Sequence, residues 1–399
     1  MEIKAVEIVK IKNKFPLFKG EDVANAIEKI ELEEYGYSLV AQKDLYKIGD
    51  SVIYIQPDYS LSDISLFESF IRPNGDPKKS RLGSNNRIRA VKFNLHTGDK
   101  EPTYSVGILL PIDIVANYLI EVKLIKNALQ IKEIDLTKAL GITKWEEPDN
   151  IGGSGVKTNG GSSFPSTIYR TDEENIHKMW NHIDKKIGYP ITLIGSTKCD
   201  GSSVSLIFKN DTISVGSRNL IKPMKITKTT GVRNPNFLER VLIFFGRKID
   251  LWVKEVVDND DQFIELAKPY IEKIKTYLGD NPKYKNLVFR GEANGQSWKG
   301  SGNKNNPDSK NSPNIKFFGI DLYENIATKL PESEFSELIE KIGLERTKVV
   351  FHKKFNSREE IEKECNDYFK DNLIEGIVLR TEDSKFSAKF LSNLYDSLK

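Results

Sequence analysis

At 399 residues, the chain is long enough for two or three domains, each with its own core. Its 60 lysines and arginines against 57 aspartates and glutamates leave a net charge of +3, which neither demands nor excludes a nucleic-acid partner, since a local basic groove suffices. Two cysteines, Cys199 and Cys365, are too few for a zinc cluster and predict a reducing, intracellular setting; with no run near the roughly 20 apolar residues of a membrane span and no apolar core after Met1-Glu2-Ile3-Lys4, the composition predicts a soluble protein.

The first 145 residues carry short, β-branched, turn-bounded runs at Ala5–Ile11, Tyr37–Gln42, Asp50–Ile55, Arg87–Phe93 and Ser105–Leu110. Glu21–Ile30 has the spacing of an amphipathic helix, and Leu136–Leu140 of a connecting one. Five short strands with little helix predict a five-stranded barrel of the OB kind, an architecture whose open face often binds nucleic acid. Arg87 and Arg89 are two apart, so one strand face would carry both, beside Lys78, Lys79 and Arg81. They are candidates for RNA phosphate contact; a solvated charged surface explains them equally well.

Residues 146–163 are rich in Gly, Ser and Asn, cannot bury enough apolar surface to order themselves, and read as a linker. The predicted division is therefore 1–145, a linker over 146–163, and a second domain over 164–399. Beyond the linker, Thr171 with Glu174 fits a helix capping box opening a helix to about Ile183. His177, His182 and His352 lack metal-ligand spacing and read as core or surface residues. A helical block is expected from about Asn236 to Leu278, and the tract Gly300–Asn314 reads as a mobile loop.

The most informative segment is Lys198-Cys199-Asp200-Gly201-Ser202-Ser203, set between the apolar runs Ile191–Ile194 and Val204–Phe208. A lysine ending a strand before Asp-Gly can serve as an amine nucleophile toward phosphorus, although Asp-Gly also occurs as a plain hairpin turn. Downstream stand Ser217-Arg218-Asn219, Arg290-Gly291-Glu292, Phe317-Phe318-Gly319-Ile320-Asp321, Glu375-Gly376-Ile377-Val378 and a basic strand ending at Lys389. Glu292 and Glu375 sit among apolar strand residues, where an unpaired carboxylate is costly unless it meets a partner, a metal or a wet cleft.

In this order and spacing the segments resemble the motifs of the covalent nucleotidyltransferase superfamily of ATP-dependent ligases and mRNA capping enzymes. An OB-like region placed in front, with only ten residues after Lys389, is similar to the Deinococcus- and Naegleria-type RNA ligases. The resemblance implies an α+β fold, an OB-like barrel followed by a nucleotidyltransferase (adenylation) domain of antiparallel sheets with flanking helices. It implies an ATP-dependent RNA ligase that joins 3′-hydroxyl and 5′-phosphate ends through a lysyl-AMP and an RNA-adenylate. RNA, as a nicked duplex or an RNA/DNA hybrid, would be the partner.

By the same resemblance Lys198 is the nucleophile, with Asp200, Glu292, Glu375 and Lys389 as its catalytic company. Thr197, Arg218, Asn219, Glu292, Phe318, Ile320 and Lys389 would contact ATP. Asp200, Glu292 and Glu375 would hold Mg²⁺ or Mn²⁺ through waters. The last motif carries Ser387 where the superfamily usually has a lysine, and whether Lys385 takes its place is open at the level of sequence. Phe318 and Ile320, two apart, both stand as adenine contacts. DNA ligase, GTP-dependent capping enzyme and non-catalytic RNA-binding protein are the rival readings. The front region is expected to weigh more on sealing than on self-adenylylation.

Overall fold

The computed structural model describes residues 4–99, 101–145, 162–168, 173–210, 212–236, 238–240, 247, 252–281, 284–296, 298 and 306–398. Most of the predicted linker, Thr171, Asp172 and residues 300–305 of the predicted loop lie outside them. Among the described residues, no helix is long and apolar enough to cross a membrane.

The N-terminal region is built on a long hairpin of β1 (Val6–Lys19) and β2 (Asp22–Leu32), turned at Gly20 with φ of +64°. It continues through β3 (Ser38–Gln42), β4 (Ser51–Ile55), β5 (Tyr59–Ser60), β6 (Ala90–Phe93), β7 (Thr103–Val106), β8 (Ile108–Pro111) and β9 (Thr143–Lys144). One antiparallel sheet runs in the order β3-β2-β1-β4-β8, with β6–β7 and β5–β9 as separate pairs. Helix α1 (Ile112–Glu121) buries Val115, Ala116 and Leu119 against Ile53, Ile55 and Leu110.

The segment Glu21–Ile30 is thus a strand, not the helix its spacing suggested. Val23, Ile27 and Ile30 fit a helical stripe, but Glu28, Ile30 and Leu32 are buried at every second position. Pairing with β1 from Lys19↔Asp22 to Ile11↔Leu32 overrides the local pattern. The Arg87–Phe93 strand is shorter than expected and begins at Ala90.

The C-terminal region holds two larger sheets. Its strands are β10 (Ser162–Ser163), β11 (Ile191–Lys198), β12 (Ser202–Lys209), β13 (Thr212–Gly216), β14 (Leu220–Lys222), β15 (Lys225–Val232), β16 (Trp252–Asp258), β17 (Leu287–Asn294), β18 (Asn314–Tyr323), β19 (Ala327–Lys329), β20 (Val349–Phe355), β21 (Gly376–Arg380) and β22 (Ser387–Leu391). Seven of them form the order β10-β14-β13-β12-β17-β18-β19, and four form β20-β11-β21-β22. The long helices are α2 (Gln262–Asp280), α3 (Glu332–Ile342) and α4 (Arg358–Asp371), followed by the short α5 (Asn393–Leu398).

Each sheet packs one apolar face on helices, and its opposite face carries polar residues beside a few buried apolar ones such as Ile207, Val288 and Ile194. Leu206, Phe289, Ala293, Phe317 and Ile320 of the larger sheet pack on α2 and α3 through Ile264, Ile271, Phe335 and Leu338. Leu193, Ile377, Leu379 and Phe390 of the smaller sheet pack on α4 through Ile361, Cys365 and Phe369. Strand alternation therefore turns Ser203, Ser205, Arg290 and Glu292 of one sheet, and Lys198, Arg380 and Lys389 of the other, away from both cores. The architecture is mixed α+β with antiparallel sheets.

Two further expectations change. The block from Asn236 to Leu278 contains β16, paired with β15, before the helix begins at Gln262. The helix expected to run to Ile183 is a 3₁₀ turn at Ile176–Lys178 capped by Asn175, a short α turn at Trp180–His182 and a π turn at Ile183–Ile187; the expected cap, Thr171, lies outside the described residues.

Candidate active site

The chain passes from the smaller sheet to the larger one at Cys199-Asp200-Gly201, between β11 and β12. Gly201 is required there, since a Cβ would lie 2.3 Å from the Ala293 carbonyl oxygen. This crossover sets Lys198 at the end of one sheet beside Glu292 of the other. Lys198 Nζ lies 2.5 Å from Glu375 Oε2, on the residue preceding β21. Burial opposes the ammonium, but the Glu375, Glu292 and Asp200 carboxylates outweigh it and raise the Lys198 pKa well above its ordinary value.

The Glu292 pKa is raised too, which here favours the uncharged form. Burial pushes its carboxyl up to about 8, the Glu375 and Asp200 charges add to that, and Lys198 only partly offsets them. The site thus carries more carboxylate than its lysine neutralises, which suits a divalent cation. Among the described residues, no three His, Cys, Asp or Glu side chains converge as direct ligands. An ion here fits the expected mode, held through waters and substrate phosphates.

Asp200 is fixed from two sides. Its carboxylate Oδ2 accepts the Tyr395 hydroxyl at 2.8 Å, and its carbonyl accepts Asn306 Nδ2 at 3.0 Å. Neither Tyr395 nor Asn306 was legible in the sequence, where Asn306 fell in a tract read as a mobile loop. Asn306 is 4% exposed and caps the 3₁₀ turn Pro307–Lys310.

Lys389 lies on β22 opposite Val378, and its amide donates to the Glu174 carbonyl at 2.8 Å. Asp58 of the N-terminal region is close to it. Burial raises that carboxyl, yet Lys389, Arg87 and Lys178 together hold it down at about 2. Lys385, the other lysine of that segment, faces solvent. It is 86% exposed, pairs with Asp383 at 3.3 Å, and precedes β22, about 13 Å along the chain from Lys389.

Several predicted contacts are rearranged. Thr197 pairs with Ile377 on the apolar face, so alternation points its side chain away from Lys198. Phe318 and Ile320 do not share a face. The register slips between Arg290↔Gly319 and Gly291↔Phe317, so Phe318 is the extra residue of a bulge. Ile320 consequently joins the core at 1% exposure. Phe318 instead meets the Arg380 guanidinium, 5.6 Å from its ring, while its carbonyl accepts Arg380 Nη1. A small cavity is lined by Arg290, Phe318, Asp321, Lys329, Arg380 and Ser384, and its lining does not include Lys198, Asp200, Glu292 or Glu375.

Arg218 and Asn219 occupy the turn between β13 and β14, where the Asn219 carbonyl accepts Phe164 N at 3.0 Å. Arg290 is structural: buried with Asp321, it donates to Asp321 Oδ2 at 2.8 Å and to Ser205 Oγ at 3.0 Å. Arg87 is not available to RNA. Its guanidinium binds Asp58 at 2.6 Å and Asp396 at 3.3 Å and stacks 4.4 Å from the Trp145 ring. Arg89 is half-buried and donates to the Arg81 carbonyl at 3.3 Å. His177 is a core residue, as expected: burial, aided by Arg358, pushes its pKa down to about 3.

The two regions meet through aromatic packing. Tyr37 lies 5.0 Å from the His177 ring, and His177 lies 4.9 Å from Phe390.

Comparison with known proteins bears on the whole chain. A structure of a Naegleria gruberi RNA ligase variant with ATP and Mn superposes with a TM-score of 0.67 at 22% identity, over 98% of each chain. An apo variant of that ligase gives 0.66 at 21% identity, over 99% of this chain and 98% of the other. A variant with AMP and Mn gives 0.65 at 22% identity, over 98% of both. No curated protein sequence matches. The RNA ligase family model spans residues 191–391, half of the chain, and those residues include Lys198, Glu292, Glu375 and Lys389; the chain is an enzyme of the RNA ligase family.

Proposed function

We propose that the protein is an ATP-dependent RNA ligase that joins 3′-hydroxyl and 5′-phosphate ends through a lysyl-AMP on Lys198. The observation that carries the reading is the placement of a strand-terminal lysine near three acids: Glu292 on β17, Asp200 in the crossover and Glu375 just before β21. Structures of the similar Naegleria ligase with ATP, AMP and Mn support ATP and a divalent cation as its companions.

In this reading the Lys198 nitrogen bonds to the α-phosphorus of ATP, and the bond to pyrophosphate breaks. The ammonium must first lose a proton, and Glu375 is the acceptor at hand. A bound divalent cation supplies positive charge that offsets the carboxylates and the phosphate oxygens. Asp200 and Glu292 would hold it through waters, Lys389 would face the α-phosphate, Arg218 and Asn219 the nucleotide, and Phe318 the base. AMP then passes to an RNA 5′-phosphate and is displaced by a 3′-hydroxyl. Residues 1–145 would form an OB-like RNA-binding module through Arg89, joined across 146–163 to the adenylation domain at 164–399.

Incubation with α-labelled ATP should label the wild-type chain through an acid-labile phosphoramidate, and α-labelled GTP should not. Lys198→Ala should take up no label while melting as a folded protein. Label retained by that variant would refute the nucleophile. A panel of nicked RNA, DNA and hybrid duplexes then distinguishes RNA from DNA sealing.

A further inference from the structure

Helix α5 begins four residues after Lys389, and two adjacent residues on it face in different directions. Tyr395 is 1% exposed, so its ring is fixed by packing, and its hydroxyl reaches Asp200 Oδ2 at 2.8 Å. Asp396 turns to the N-terminal region: Oδ2 accepts the Ala90 amide at 2.9 Å, and Oδ1 accepts Arg87 Nη2 at 3.3 Å. The helix is also tied to the site through its preceding residue, since Ser392 N donates to the Glu375 carbonyl at 2.9 Å.

Asp200 lies in the crossover between sheets, outside any strand ladder, so backbone pairing does not fix its carboxylate. A phenol held by a buried ring contributes to fixing it. We infer that Tyr395 is a positioning residue for Asp200, and that Asp396 makes this positioning depend on the docked N-terminal region.

This inference rests on the lysyl-AMP reading and revises the expectation that residues 1–145 weigh mainly on sealing. The test uses the full chain with Tyr395→Phe, Asp396→Ala and the double variant. Single-turnover labelling with α-labelled ATP is followed across Mg²⁺ concentrations, beside thermal unfolding.

Tyr395→Phe should slow labelling about tenfold at an unchanged labelled fraction, the loss of one hydrogen bond to a charged group. Its half-saturating Mg²⁺ should rise, which a partly unfolded population would not produce. Asp396→Ala should slow the same step, and the double variant should be no slower than Tyr395→Phe. A wild-type rate for Tyr395→Phe, a loss confined to the labelled fraction, or single losses that multiply would overturn the inference. If Tyr395→Phe does not fold, Asp396→Ala decides alone: slower labelling at full fraction upholds the coupling, and a wild-type rate overturns it. A wild-type chain that takes up no label would remove the lysyl-AMP reading, and this inference with it; normal wild-type labelling with an unaffected Tyr395→Phe removes only the positioning role.

Discussion

Lys198 and Glu375, 177 residues apart in the chain, meet at 2.5 Å because β11 and β21 are neighbours in one sheet. The pair keeps the amine protonated at rest, which is the wrong state for attack on phosphorus. The surplus of acids around it creates the demand for a cation, and that surplus has a measurable consequence in the free protein.

Glu292 keeps its proton in the folded state up to about pH 8, whereas the unfolded chain releases it near the ordinary value of 4.5. Between those values the native state binds more protons, so its stability falls as pH rises. The melting temperature of the metal-free protein should therefore decline from pH 5 to pH 8 by several degrees. Glu292→Gln should flatten that decline. An unchanged slope in the variant would show that another group drives it.

The Arg290–Asp321 pair is buried on both sides, with exposures of 3% and 4%. Removing one partner leaves an uncompensated charge in the interior, at a cost of about 3–5 kcal/mol. Arg290→Ala should therefore lose far more stability in urea than activity per folded molecule. Loss of labelling at full stability would instead give Arg290 a direct part in the chemistry.

A fragment beginning at residue 164 would expose His177, which packs between Tyr37 and Phe390 in the intact chain, and would strip Asp58 and Arg87 from the Lys389 and Asp396 neighbourhood. It should melt at a lower temperature than the full chain and label with ATP more slowly. Normal labelling by a stable fragment would confine the N-terminal region to a role in sealing.

Lys198, Asp200, Glu292 and Glu375 are each named from a short local stretch of sequence, and the fold brings them near one another. Each motif brackets a strand end, where a polar residue following an apolar run marks the passage from core to cleft. The errors have the opposite character. Arg87 and Arg89 looked alike as two basic residues two apart, yet Arg87 is claimed by Asp58 and by Asp396, 309 residues downstream.

The sequence alone determined that Lys198 ends one apolar strand and that Glu292 lies on another, because apolar runs with single polar interruptions follow the pleat of a sheet. Tertiary structure decided that Glu21–Ile30 pairs as a strand, that a bulge at Phe318 sends Ile320 into the core, and that Tyr395 and Asn306 hold Asp200. Those outcomes depend on partners distant in the chain. Pairing, bulging and long-range hydrogen bonds leave no periodicity in the segment that undergoes them.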